Sequence, residues 1–83
     1  MIKRYEKKPV VVEAVKWDGF NTYEVEKLIR RPAAGLNGVL YIVMSGRETV
    51  HASRGDYIVK GVNGDFFVCK PDVFAQTYGE VEG

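Results

Sequence analysis

Reactive side chains are sparse in this sequence. His51 and Cys69 are its single histidine and single cysteine. Together they could form a thiolate–imidazole pair, the ring taking the thiol proton and the sulfur attacking an electrophile. Both fall in neighbouring hairpins, so an approach is conceivable. The plainer reading is structural. Cys69 alternates with Phe67 and Asp65, and a free cysteine in a strand is usually a small buried hydrophobe. A zinc site would need about two or three more nitrogen or sulfur ligands, and only carboxylates are left to supply them. Asp56 and Asp65 could act as paired carboxylates, because the strands they belong to should be antiparallel partners. Each also sits beside a turn, where aspartate commonly bonds local backbone, and that role is the one expected. No catalytic residue and no metal ligand is therefore assigned, and the chain is not expected to be an enzyme.

A binding surface is better supplied. Lys60 and Lys70 bracket the last hairpin, with Tyr57 and Phe66 beside them and Trp17 at the end of an earlier strand. Two or three cations and a ring suffice for a small anionic ligand such as a nucleotide, so Trp17, Tyr57, Lys60, Phe66 and Lys70 form the candidate ligand-binding set. The same pattern could stack bases, but Asp56, Asp65 and Asp72 interrupt the positive charge, and nucleic acid is not expected as a partner. No GxxxxGK[ST] loop or GxGxxG fingerprint occurs, and no cofactor is implied. Arg54-Gly55-Asp56 matches an adhesion tripeptide by letters and reads as a turn.

Alternation and glycine punctuation place these residues on elements. Residues 9–17 read as a strand with Val10, Val12 and Ala14 on one face and Val11, Glu13, Val15 and Trp17 on the other. Apolar groups on both faces predict an internal strand. Residues 21–31 read as the main helix. Asn21 is the expected N-cap and Glu24 stands in capping-box register. Val25, Leu28 and Ile29 form the buried stripe, Glu24, Glu26, Lys27 and Arg30 face water, and Pro32 ends the helix. Residues 33–38 read as a loop. Residues 38–44 are apolar on both faces and should be central, Ser45-Gly46 fits a tight turn, and 47–52 alternate with Glu48, Val50 and Ala52 on one face and Arg47, Thr49 and His51 on the other. Strands at 56–60 and 65–70 flank Val62-Asn63-Gly64, where Asn-Gly suggests a type I′ turn. Pro71 opens a short helical turn to about residue 74 or 75, and residues 76–83 can add an edge strand before fraying. The expected fold is α+β: a mostly antiparallel sheet of about five strands, one main helix packed on it, and a short C-terminal helical turn. The sheet's second face should be covered by that turn or by another copy of the chain.

The totals agree with one small domain spanning residues 1–83. Of 83 residues, 46% are hydrophobic and 28% charged, and 12 basic side chains face 11 acidic ones for a net charge of +1. That balance argues against a general nucleic-acid binder, whose affinity rests on neutralising several phosphates. The basic residues Lys3, Arg4, Lys7 and Lys8 cluster at the start and read as a solvated arm. No apolar run approaches a membrane span, no signal peptide is visible, and a single cysteine in so small a domain favours a reducing cytoplasm. Tyr41, Tyr57, Phe66, Phe67, Phe74 and Tyr78 are many large rings for such a sheet. A surplus on an open face would imply self-association or ligand stacking.

Residues 55–74, GDYIVKGVNGDFFVCKPDVF, resemble a C-terminal signature, GD(Y/W)IxKGxxG(E/D)FxxCKPDxF, of small phage and prophage proteins. Those proteins also open with a stretch similar to residues 4–19, RYEKKPVVVEAVKWDG. A typical member has Glu where Asp65 stands and Tyr near Phe67. The resemblance implies a phage-related bacterial setting and transfers no site residue, because the family carries no assigned activity. In that setting the expected role is stoichiometric binding that inhibits or modulates a bacterial host or defence protein, the chain forming a homo-oligomer or docking by a sheet edge or aromatic patch. The alternatives are a small-ligand binder that sequesters a nucleotide-like defence signal, and a structural phage component or assembly factor.

Overall fold

The computed structural model describes residues 2–7, 10–43 and 48–80. Its elements run β1 (Lys3–Lys7), β2 (Val10–Lys16), α1 (Thr22–Ile29), β3 (Ala33–Leu36), β4 (Val39–Val43), β5 (Thr49–Ala52), β6 (Tyr57–Lys60), β7 (Phe66–Cys69), α2 (Pro71–Thr77) and β8 (Gly79–Glu80). The fold is α+β, but the strands form two antiparallel sheets rather than one. Five strands take the order β7-β6-β2-β1-β8, and three take the order β3-β4-β5. No helix among the described residues is long and apolar enough to cross a membrane.

Strand β2 lies inside the larger sheet, as its two apolar faces require. Val15 and Trp17 point to one side, where they pack with Val25, Leu28 and Ile29 of α1, with Leu40, Ile42 and Ala52 of the small sheet, and with Ile58. Val12 and Ala14 point to the other, against Val59, Cys69 and Phe74. The large sheet is thus sandwiched: α1 and the small sheet cover one face, and α2 covers the other. The expected stripe on α1 is buried as read.

Several elements differ from expectation. The basic segment at the start is no arm: it pairs with β2 from Lys3↔Ala14 to Lys7↔Val10 and holds β8 on its other edge. Strand pairing here uses backbone groups, so a polar sequence was no obstacle. Residues 33–36 are a strand and not a loop, joined to β4 by a two-residue turn in which Asn37 and Gly38 have φ of 53° and 81°. That is the type I′ geometry for which Asn-Gly is suited. The pair chosen for it from sequence, Asn63-Gly64, behaves otherwise. Only Gly64 has positive φ, and the bonds Gly61 N–H to the Asp65 carbonyl (2.8 Å) and Gly64 N–H to the Gly61 carbonyl (3.1 Å) close a three-residue loop. This matches a type I turn followed by a left-handed glycine.

Helix α1 is shorter than residues 21–31. Arg30 turns left-handed at φ 57° while its N–H still bonds the Glu26 carbonyl at 2.8 Å, and Pro32 excludes helical geometry at Arg31. The capping box does not form. Asn21 occupies the N-cap but makes no side-chain cap bond. Its Oδ1 accepts from the Asp18 N–H and its Nδ2 donates to the Lys16 carbonyl and to Glu24 Oε1, so it clamps the preceding loop instead. Glu26 is half-buried rather than facing water, and its Oε2 accepts from the Ala33 N–H at 3.0 Å, fixing the path from helix to β3. At the other end, α2 extends to Thr77, beyond the expected turn. The Ser45-Gly46 turn lies outside the described residues.

Candidate functional site

The five residues nominated for ligand binding do not form one site. Trp17 is fully buried. Its Nε1 donates to the Gly38 carbonyl at 2.8 Å, and its backbone joins β2 to the Asp56 carbonyl and the Gly55 N–H, each at 2.8 Å. It is the bolt between both sheets and is unavailable to a ligand. Lys60 and Phe66 are register partners at the hairpin end of the large sheet, where Phe66 packs on the α1-side core. Lys70 stands at the opposite end, about 14 Å away at a strand's rise per residue. Its Nζ lies 3.2 Å from Asp56 Oδ2. Tyr57 points through the other face and stacks on Phe74, with ring centroids 3.8 Å apart.

The catalytic pairings considered from sequence are also separated. Asp56 and Asp65 lie at opposite ends of the β6–β7 hairpin, roughly 17 Å apart by strand rise. Asp56 is buried and accepts from the Ser53 N–H at 3.0 Å, the local backbone role expected of it. His51 is exposed on the outer face of the small sheet, edge-on to Tyr41. Cys69 is buried beneath α2, on the far side of the large sheet. The core stands between them. Burial, with the nearby Asp72 and Asp56, pushes the Cys69 thiol above its ordinary pKa, which is opposite to what a nucleophile needs.

Two exposed features remain, and they are contiguous. The first is the outer face of β3-β4-β5. Gly35, Leu40, Ile42, Val50 and Ala52 occupy inward positions of this small sheet. Alternation then turns Leu36, Val39, Tyr41, Val43 and His51 outward. Leu36 and Val43 are each 61% exposed. The reading of residues 38–44 as apolar on both faces and central holds for position in the small sheet, while one of those faces has no cover among the described residues. The second feature lies at the end of that face, where three turns meet: 18–21 after β2, Asn37–Gly38, and Ser53–Asp56. The second and third of these border a depression of about 440 Å³ lined by Asn37, Gly38, Val39, Ser53 and Arg54. The Arg54 guanidinium carbon sits 5.3 Å from the Phe20 ring centroid, and Phe20 is 85% exposed.

This surface has little signal in the sequence, for physical reasons. Arg54 falls within a turn tripeptide, and Phe20 follows the Asp18-Gly19 break after β2, so neither carries a periodic signal. The legible clue was Asn37-Gly38 between apolar pairs, which marks a hairpin and so turns Leu36 and Val39 to the same side. Comparison with known proteins finds no family model, no curated protein and no solved structure that matches this chain.

Proposed function

We propose that this protein acts without catalysis, by stoichiometric binding of a protein partner through the outer face of β3-β4-β5. The observation that carries the reading is the outward apolar row Leu36, Val39, Tyr41 and Val43, with both ends of the row 61% exposed. Phe20 and Arg54 at its margin are of the residue types that dominate interface energetics. The partner class follows the phage resemblance: a bacterial host or defence protein whose activity is blocked or modulated.

The occupant is a larger protein rather than a second copy. Three strands of about five residues present a face of roughly 14 × 17 Å, or about 240 Å². Two such faces meeting isologously fall well short of the roughly 800 Å² per partner of a stable interface. Self-association through this face is therefore weak and concentration-dependent. A larger partner can continue over the Phe20–Arg54 margin.

The test places a photo-crosslinking residue at Thr49, on the same face, in wild type and in a Leu36→Glu/Val43→Glu variant. A specific bacterial protein should be captured in equimolar complex by the first and lost by the second. Equal capture by both would remove the face from the interaction, and capture of a second copy alone at micromolar concentration would overturn the choice of occupant.

A further inference from the structure

We propose that the depression around Arg54 is a binding site for a small planar phosphoester of nucleoside-monophosphate size, the Arg54 guanidinium receiving the phosphate and the Phe20 ring carrying the base. This inference does not rest on protein binding through the sheet face, although Val39, Arg54 and Phe20 also stand on or beside that face.

The guanidinium is seated rather than free. An added Cβ at Gly19 would lie 2.6 Å from Arg54 Nε, and one at Gly38 would lie 3.4 Å from its Nη2. Both glycines hold positive φ, 99° and 81°, which other residues rarely adopt. The sequence thus leaves two bare backbone positions on which the side chain lies, and the Phe20 ring centroid stands 5.3 Å from the guanidinium carbon. Holding the fork in one place removes much of the ordering cost of using it.

Despite this seating, the donors are unspent. No hydrogen bond and no ion pair joins Arg54 to any described residue. A guanidinium that served only to tie the turns together would bond their carbonyls. One seated on two glycines beside an aromatic ring, with its donors open to a cavity, is suited to an oxyanion bound bidentately.

Size and lining select the rest of the ligand. A volume of about 440 Å³ falls within the range of small-molecule sites, about 300–1,000 Å³. Phe20 is not among those lining residues but stands beside Arg54 at the edge, and at 85% exposure it offers ring surface beyond what the guanidinium covers. Base–aromatic stacking tolerates any base and is a common part of nucleotide recognition. Asn37, held left-handed by its turn, brings an amide able both to donate and to accept at the lip. Ser53 adds a hydroxyl.

The experiment is an amide NMR titration of the full chain with AMP, with inorganic phosphate and with adenosine in separate arms. AMP should produce saturable shifts centred on residues 19–20, 37–39 and 53–55. Arg54→Gln should weaken AMP at least about tenfold, as loss of a charge-assisted bidentate contact predicts, and Arg54→Lys should not restore it. Phe20→Ala, a surface change that leaves the core intact, should weaken AMP while leaving the phosphate arm unchanged. Absence of saturable shifts up to about 10 mM AMP, a Kd that no biological nucleotide site would show, overturns the site. Unchanged affinity in Arg54→Gln overturns the role of Arg54, and phosphate alone binding as tightly as AMP overturns the nucleotide class.

Discussion

At the scale of single residues, two positions hold conformations or protonation states that the rest of the fold imposes. Arg30 closes α1 in the left-handed region, φ 57°, where a side chain costs roughly 1 kcal/mol and glycine costs nothing. Arg30→Gly is expected to raise unfolding free energy by up to about 1 kcal/mol in urea titration; a lower midpoint would mean that the side chain makes contacts that outweigh the strain. Cys69 is the second. Its thiol is held neutral chiefly by burial, so its folded pKa lies above the unfolded one. The unfolded chain then loses its proton first as pH rises. Stability from this group is complete below a pH of about 8.5 and declines above it. Tyr78, raised by burial and then by Cys69, extends the decline to more alkaline pH. Thermal melts should therefore be flat below the thiol range and fall above it, and Cys69→Ala should flatten the first part of the fall. An identical slope in that variant would assign the alkaline loss to other groups.

At the scale of elements, α1 shows how far packing outweighs local signals. Its caps are poor: Asn21 makes no side-chain cap bond, and the C-terminus ends on a strained arginine rather than glycine. An isolated helix of eight residues would not persist in water. What holds it is the stripe Val25, Leu28 and Ile29 set into the core beside Trp17, Leu40 and Ile58. Leu28→Ala should therefore cost about 2–5 kcal/mol, read by chemical denaturation. A change under about 0.5 kcal/mol would show that the helix face contributes little. The turn at Ser53–Asp56 follows the same logic from a polar side. Asp56 binds the Ser53 N–H with its carboxylate and meets Lys70, but Lys70 is 65% exposed. The ion pair is worth under about 1 kcal/mol, and the buried backbone bond is the larger reason for aspartate here.

At the scale of the molecule, the large sheet has both faces filled, while the small sheet has one face filled and one open among the described residues. The variant used against partner capture belongs to this scale. Because Leu36 and Val43 point away from the core, Leu36→Glu/Val43→Glu should leave unfolding free energy within about 0.5 kcal/mol per site. Binding and folding are then separable measurements. A large loss of stability would instead place those side chains in the protein's own interior packing. The proposed nucleotide site lies at the corner where the small sheet's hairpin turn meets two turns of the larger sheet. The Trp17 indole fixes one wall of it by donating to the Gly38 carbonyl.

Alternation, helical periodicity and turn chemistry determined what is local about this chain. The internal character of residues 10–16, the buried stripe of α1, the β6–β7 hairpin and the proline-started α2 all follow from side-chain spacing that is visible without coordinates. Tertiary structure decided the partition into two sheets, the enlistment of the polar β1 and the glycine-containing β3 as strands, and the separation of residues that were neighbours only in sequence logic. Strand pairing is made by backbone groups common to nearly every residue, so composition cannot announce which segments will pair or in which sheet. Register partners such as Lys60 and Phe66 are set by the turn, not by their own chemistry. The same reason hid Arg54: its seat is made of two glycines at positions 19 and 38, brought together by turns that lie far apart along the chain.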